Sequence, residues 1–172
     1  MIKYLFTRSD LVCSRLISGA SKYKGQPSEQ TPSHFGILFF DRIVFHSNFA
    51  NGVHFEPYYF FKKKNEVIRA FKRHECELSR TECTLMFDQV VQRAYGAKYD
   101  FMAIAYFVWR IFLKAVFNRP IPDKNKWESK NKWFCNEIFE LVLKQDLSMK
   151  TPNDLMFLLE TSDNFDSVGV FK

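Results

Sequence analysis

The spacing of apolar positions changes several times along the 172-residue chain. IKYLF, at 2–6, predicts a short first strand. Behind Ser9-Asp10, a natural helix cap, Leu11, Val12, Leu16 and Ile17 recur at helical spacing, so a helix is expected to about Gly19. Residues 18–33 are rich in Gly, Ser, Lys, Gln and Pro and read as a loop. SHFGILFFDRIVFHS then supplies two apolar strands, 35–40 and 43–47, hinged at Asp41-Arg42. Asn51-Gly52 marks a further turn, 53–56 a third short strand, and the alternation in EVIRAFK (66–72) another.

The second half is helical in pattern. Thr81-Glu82 opens a helix to about residue 95, closed by Gly96. FMAIAYFVWRIFLKAVF, 101–117, is the most apolar run. It is short for a membrane span and carries Arg110 and Lys114, so it predicts a buried or interfacial helix. Residues 118–132 form a polar loop with two prolines. WFCNEIFELVL, 133–143, is helical, with Ile138, Leu141 and Val142 as its apolar stripe. Thr151-Pro152 starts a last helix to about 159, and 168–171 predicts a final strand. With no internal repeat and no linker, residues 1–172 read as a single α+β domain, a small antiparallel sheet flanked by helices.

Composition refines this picture. Hydrophobic residues make up 47% and charged residues 26%, which is globular, and 20 Phe call for a bulky aromatic core. The net charge is +6. Lys62, Lys63 and Lys64 are consecutive, and Lys124, Lys126, Lys130 and Lys132 surround Trp127. Such clusters are solvated loops, or they attract an anionic surface such as a membrane or cell wall. No nucleic-acid motif accompanies them, so specific nucleic-acid binding is not expected.

The cysteines, Cys13, Cys76, Cys83 and Cys135, form no CxxC pair. The N-terminus lacks signal-peptide features, so no disulfide framework is expected. A cytoplasmic, virion or host-intracellular setting follows, without a transmembrane helix. His74, Cys76 and Cys83 lack a fourth ligand at zinc spacing; no metal or cofactor is expected, and Cys13 and Cys76 are assigned to the interior.

Cys135 invites another reading. A thiol nucleophile needs a base and a group to orient that base, and a helix N-terminus favours the thiolate. The bases available are His34, His46, His54 and His74. His34 opens a strand in Ser-His-Phe-Gly, where Gly36 allows a backbone or substrate to come close. His46 lies on the partner strand, twelve residues on. The two share a face only if the connecting loop is odd in length or the ladder is bulged; a two-residue Asp41-Arg42 turn would separate them. His54 and Glu56 are substitutes for His46 as orienter.

PSHFGILFFDRIVFHS, followed about ninety residues later by WFCNEIFELVLK, resembles the circularly permuted NlpC/P60 superfamily of papain-like enzymes, which includes the YiiX-like and lecithin:retinol acyltransferase-like proteins. LVCSRLIS resembles the family's first helix, KYDF (98–101) its Tyr-Asp segment, and TPNDL (151–155) the segment after the Cys helix. The resemblance implies a permuted papain-like fold with Cys135 as nucleophile, His34 as general base and His46 as the third, polar member. His46 stands where YiiX-like members often have Glu, and Asn136 where they often have Ser. The implied activity is a cysteine-dependent amidase, peptidase or esterase, working through a thioester on a peptide, a cell-wall peptide or a lipid acyl group. A lipid acyltransferase is an alternative. So is a catalytically silent binding module of the same fold, acting on a membrane or partner protein.

Overall fold

The computed structural model describes residues 1–9, 12–23, 25–48, 50–73, 80–119, 132–133, 135–143, 147 and 150–169, without the side chains at 12, 13, 16, 20, 28, 103, 104, 107, 111, 114, 115, 132, 135 and 136. The chain is α+β. Its elements in order are β1 (Ile2–Arg8), α1 (Val12–Ser21), a single 3-10 turn at Ser28–Gln30, β2 (His34–Phe39), β3 (Ile43–Asn48), β4 (Gly52–Pro57), α2 (Tyr58–Lys64), β5 (Glu66–Arg73), α3 (Arg80–Ala94), β6 (Lys98–Tyr99), α4 (Phe101–Phe117), β7 (Lys132–Trp133), α5 (Cys135–Leu143), α6 (Pro152–Glu160) and β8 (Phe165–Val168). Six strands form one sheet in the order β4-β3-β2-β1-β5-β8, with all neighbours antiparallel.

Strand alternation divides the apolar residues between two faces. Tyr4, Phe6, Phe35, Ile37, Phe39, Phe45 and Phe71 join side chains of α3, α5 and α6 in the larger core. Leu5, Leu38, Val44, Val67 and Ala70 cluster on the other face with Phe61 of α2. The α2 helix has no counterpart in the sequence reading. Only one of its seven residues, Phe61, is buried, so YYFFKKK carries no periodic stripe.

The hinge between β2 and β3 differs from the expected two-residue turn. Pairing runs to Phe39↔Ile43, so the loop is Phe40, Asp41 and Arg42. Phe40 and Asp41 adopt left-handed backbone, with φ of 53° and 57°, which L-residues reach only at a cost. Two contacts hold the loop: the Phe40 N–H donates to the Met1 carbonyl at 3.0 Å, and the buried Lys3 ammonium pairs with Asp41 at 2.8 Å. The odd loop length decides which face each histidine occupies.

Two smaller differences concern boundaries. Lys132-Trp133 pairs with Lys98-Tyr99 as a short parallel ladder, so the helix that follows starts at Cys135 rather than 133. The last strand is Phe165–Val168, paired to β5, rather than 168–171; positions 170 and 171 lie outside the described residues.

Candidate active site

β2 begins at His34, and β3 carries His46 in its centre. Because the loop between them has three residues, Gly36 stands opposite His46, and His34 lies two positions along on the same face. The expected condition for a His pair is therefore met by loop length. His34 Nε2 and His46 Nδ1 are 3.0 Å apart, and the rings meet edge to face at 5.3 Å.

Gly36 makes this approach possible, for a reason other than the one read from the sequence. A Cβ at this position would stand 2.8 Å from Val44 Cγ1 and 3.5 Å from His46 Cβ and Phe61 Cζ. What comes close to Gly36 is neighbouring side chains of the His46 face, including the Phe61 ring.

His46 is 2% exposed. It is bracketed by His54, directly opposite on β4 with ring centroids 4.5 Å apart, and by Phe61 at 4.9 Å. Its Nε2 is buried without a hydrogen-bond partner and lies 3.5 Å from Glu56 Oε2. The other Glu56 oxygen pairs with Lys64. The carboxylate favours the tautomer with the proton on His46 Nε2. Nδ1 then accepts from His34 Nε2–H, and the remaining His34 nitrogen, Nδ1, is left as a base. Glu56 thus stands beside His46, on the side away from His34.

Both imidazoles are held neutral. Burial, reinforced by the neighbouring His54, lowers the His34 pKa to about 4. Burial, followed by His34, His54 and Lys64, lowers that of His46 to about 2. Thr7, the cross-strand partner of His34, is buried and its hydroxyl has no hydrogen-bond partner.

Cys135 is the first residue of α5, so its backbone lies at the helix terminus that favours an anion. Its thiol lies outside the described side chains. A strap built from several segments positions this terminus. The Val53 N–H donates to the Ala97 carbonyl at 2.9 Å, and the Gly96 N–H returns a bond to Val53. β6 then pairs with β7. The Trp133 carbonyl accepts from the Ser47 hydroxyl at 2.9 Å and from the Asp100 N–H at 3.3 Å. One turn into α5, Phe139 packs on Phe35 at 3.8 Å between centroids.

The first turn of α5 therefore lies at the end of the sheet where β2 begins, over the face bearing Phe35 and Ser47. The His34 imidazole is on the opposite face, 6.3 Å from the Phe61 ring. The described atoms bring His34, His46, His54 and Glu56 together. They place the Cys135 backbone at the same end of the sheet, on the other face.

Two other segments singled out in the sequence have structural roles. Asp100 of KYDF is fully buried beneath the strap. In TPNDL, Thr151 and Asp154 form a reciprocal capping box at the start of α6, and the buried Asn153 amide donates to the Ser21 carbonyl at 2.9 Å. Cys83 of α3 is buried. His74 and Cys76 lie outside the described residues, as does the Cys13 side chain, so the interior placement expected for Cys13 and Cys76 falls there too.

No protein-family model, curated protein or solved structure matches the chain.

Proposed function

We propose that the chain is a cysteine-dependent acyl hydrolase of permuted papain-like type, with Cys135 as nucleophile, His34 as general base and His46 as the residue that orients it. The observation that supports this most strongly is the 3.0 Å His34–His46 pair at the end of the sheet where the helix begun by Cys135 starts. In the reaction, His34 Nδ1 takes the Sγ proton as sulfur attacks the carbonyl carbon. The tetrahedral oxyanion collapses, and the amine or alcohol leaves with the proton held on His34. Water then attacks the thioester, giving up a proton to His34, and sulfur departs with that proton restored. The reading requires the thiol to reach His34 around the first residue of β2.

A lipid acyl group is the second reading, and α4 favours it. Phe101, Met102, Val108, Trp109, Phe112, Val116 and Phe117 are all exposed on this helix. It starts directly after Asp100, whose N–H donates to the carbonyl of Trp133, two positions before Cys135. An apolar face of this size beside a candidate site suits a membrane-borne substrate.

Incubation with p-nitrophenyl acyl esters and with peptide amides, followed by intact and peptide mass spectrometry, tests both readings. The expected result is an acyl adduct on Cys135 and turnover that disappears in Cys135→Ala and His34→Ala. Turnover that survives in Cys135→Ala would overturn the assignment. Absence of any adduct with an alkylatable Cys135 would favour the silent binding module.

A further inference from the structure

The β3–β4 ladder places His46 directly opposite His54 and puts Glu56 two residues further along, on the same face. One potential ligand atom from each of the three side chains lies within 4.8 Å of the other two. His46 Nε2 is a buried nitrogen without a hydrogen-bond partner, aimed at Glu56 Oε2 from 3.5 Å. His54 Nδ1 is 3.1 Å from the Gly52 carbonyl. A carbonyl only accepts, so Nδ1 carries the proton and Nε2 presents its lone pair, with the Asn48 amide 3.4 Å from it.

We propose that His46 Nε2, His54 Nε2 and a Glu56 oxygen form a binding site for a divalent transition-metal ion of the zinc, cobalt or nickel class. Two imidazoles and one carboxylate are the ligands these ions prefer, and they disfavour calcium and magnesium. Ligands about 2.0–2.1 Å from a tetrahedral ion stand about 3.4 Å from one another. The His46–Glu56 separation already matches this, and the three ligand atoms all lie within 4.8 Å of one another. Each ligand imidazole also has its second nitrogen engaged, His46 Nδ1 with His34 and His54 Nδ1 with Gly52. Outer contacts of this kind fix the tautomer of metal-bound histidine. Lys64, paired with Glu56, opposes the added positive charge and weakens the site.

A regulatory consequence rests on the thiol chemistry proposed above. With a metal on Nε2, the His46 proton sits on Nδ1 and donates to His34 Nε2. His34 then carries its own proton on Nδ1, the nitrogen that must accept from sulfur. Metal binding and base function exclude each other, so zinc is a reversible inhibitor of the thiol reaction.

Titration of the full chain with cobalt(II), followed by visible absorption and by calorimetry, tests the site. One ion per chain is expected, with ligand-field bands and no thiolate-to-cobalt charge transfer. The dissociation constant should rise at least tenfold in both His54→Ala and Glu56→Gln, and fall in Lys64→Ala. Glu56→Gln keeps the shape of the side chain and serves if His54→Ala does not fold. Absence of binding, a thiolate band, or affinity indifferent to His54 and Glu56 would overturn the proposal. Cobalt binding to a chain that shows no acyl turnover when metal-free defeats the thiol reading and leaves the metal site standing; metal-free turnover without cobalt binding does the reverse.

Discussion

At the scale of single residues, the two central imidazoles are uncharged, His46 fully buried and His34 partly so. An unfolded histidine titrates near 6.5, whereas His34 and His46 are lowered by burial to about 4 and about 2. Between pH 6.5 and 4 the unfolded chain therefore binds protons that the folded chain refuses. Stability is full above pH 6.5 and falls as pH drops below it. Urea unfolding at pH 7, 5 and 4 should show that loss, and the double variant His34→Gln/His46→Gln should show a shallower slope over the same range. An unchanged slope would mean that the imidazoles are solvated. The orienting role proposed for His46 is kinetic. In His46→Ala, His34 Nε2–H loses its acceptor, so kcat/KM should fall about 10²-fold, while alkylation of fully ionised Cys135 at high pH stays near the wild-type rate. A fall no larger than about twofold would remove His46 from the orienting role.

At the scale of elements, the strap from β4 through β6 and β7 sets where α4 and α5 begin. Gly52 is its tightest point: φ is 67°, and a Cβ would lie 2.3 Å from the Ala97 carbonyl oxygen. Gly52→Ala should cost about 2 kcal/mol or more and slow Cys135 chemistry along with it; urea unfolding and alkylation rates measure the two effects. Most strands and helices were legible in the sequence: β1, β2 and β3 are near-continuous apolar runs buried on both faces, and α3 and α6 bury residues at helical spacing. The elements that were missed have no such pattern. α2 buries only Phe61, and β6 and β7 are two-residue strands defined by each other. The His pair was legible only as a condition on loop length, since the left-handed Phe40-Asp41 backbone depends on Met1 and Lys3, far away in sequence. The convergence of Glu56 and His54 on His46 was less legible still, because it depends on the β3–β4 register.

At the scale of the whole molecule, the sheet separates a large aromatic core from a smaller face that carries the histidines. α4 adds an exposed apolar surface to a chain of net charge +6. Among the described residues no helix is long and apolar enough to cross a membrane, so an association through α4 would lie along the surface. Co-sedimentation with anionic vesicles should fall at least fivefold in Trp109→Glu/Phe112→Glu, with the unfolding midpoint unchanged, and retention of binding would remove the lipid reading. Cys135 and His34 are proposed to meet at one end of the sheet. The most direct test is the rate of iodoacetamide alkylation of Cys135 against pH, read by peptide mass spectrometry in the wild-type chain and in His34→Ala. The account predicts a midpoint well below the free-thiol value of about 8.5, shifted up or lost in His34→Ala. Slow alkylation with an ordinary midpoint, indifferent to His34, would contradict it.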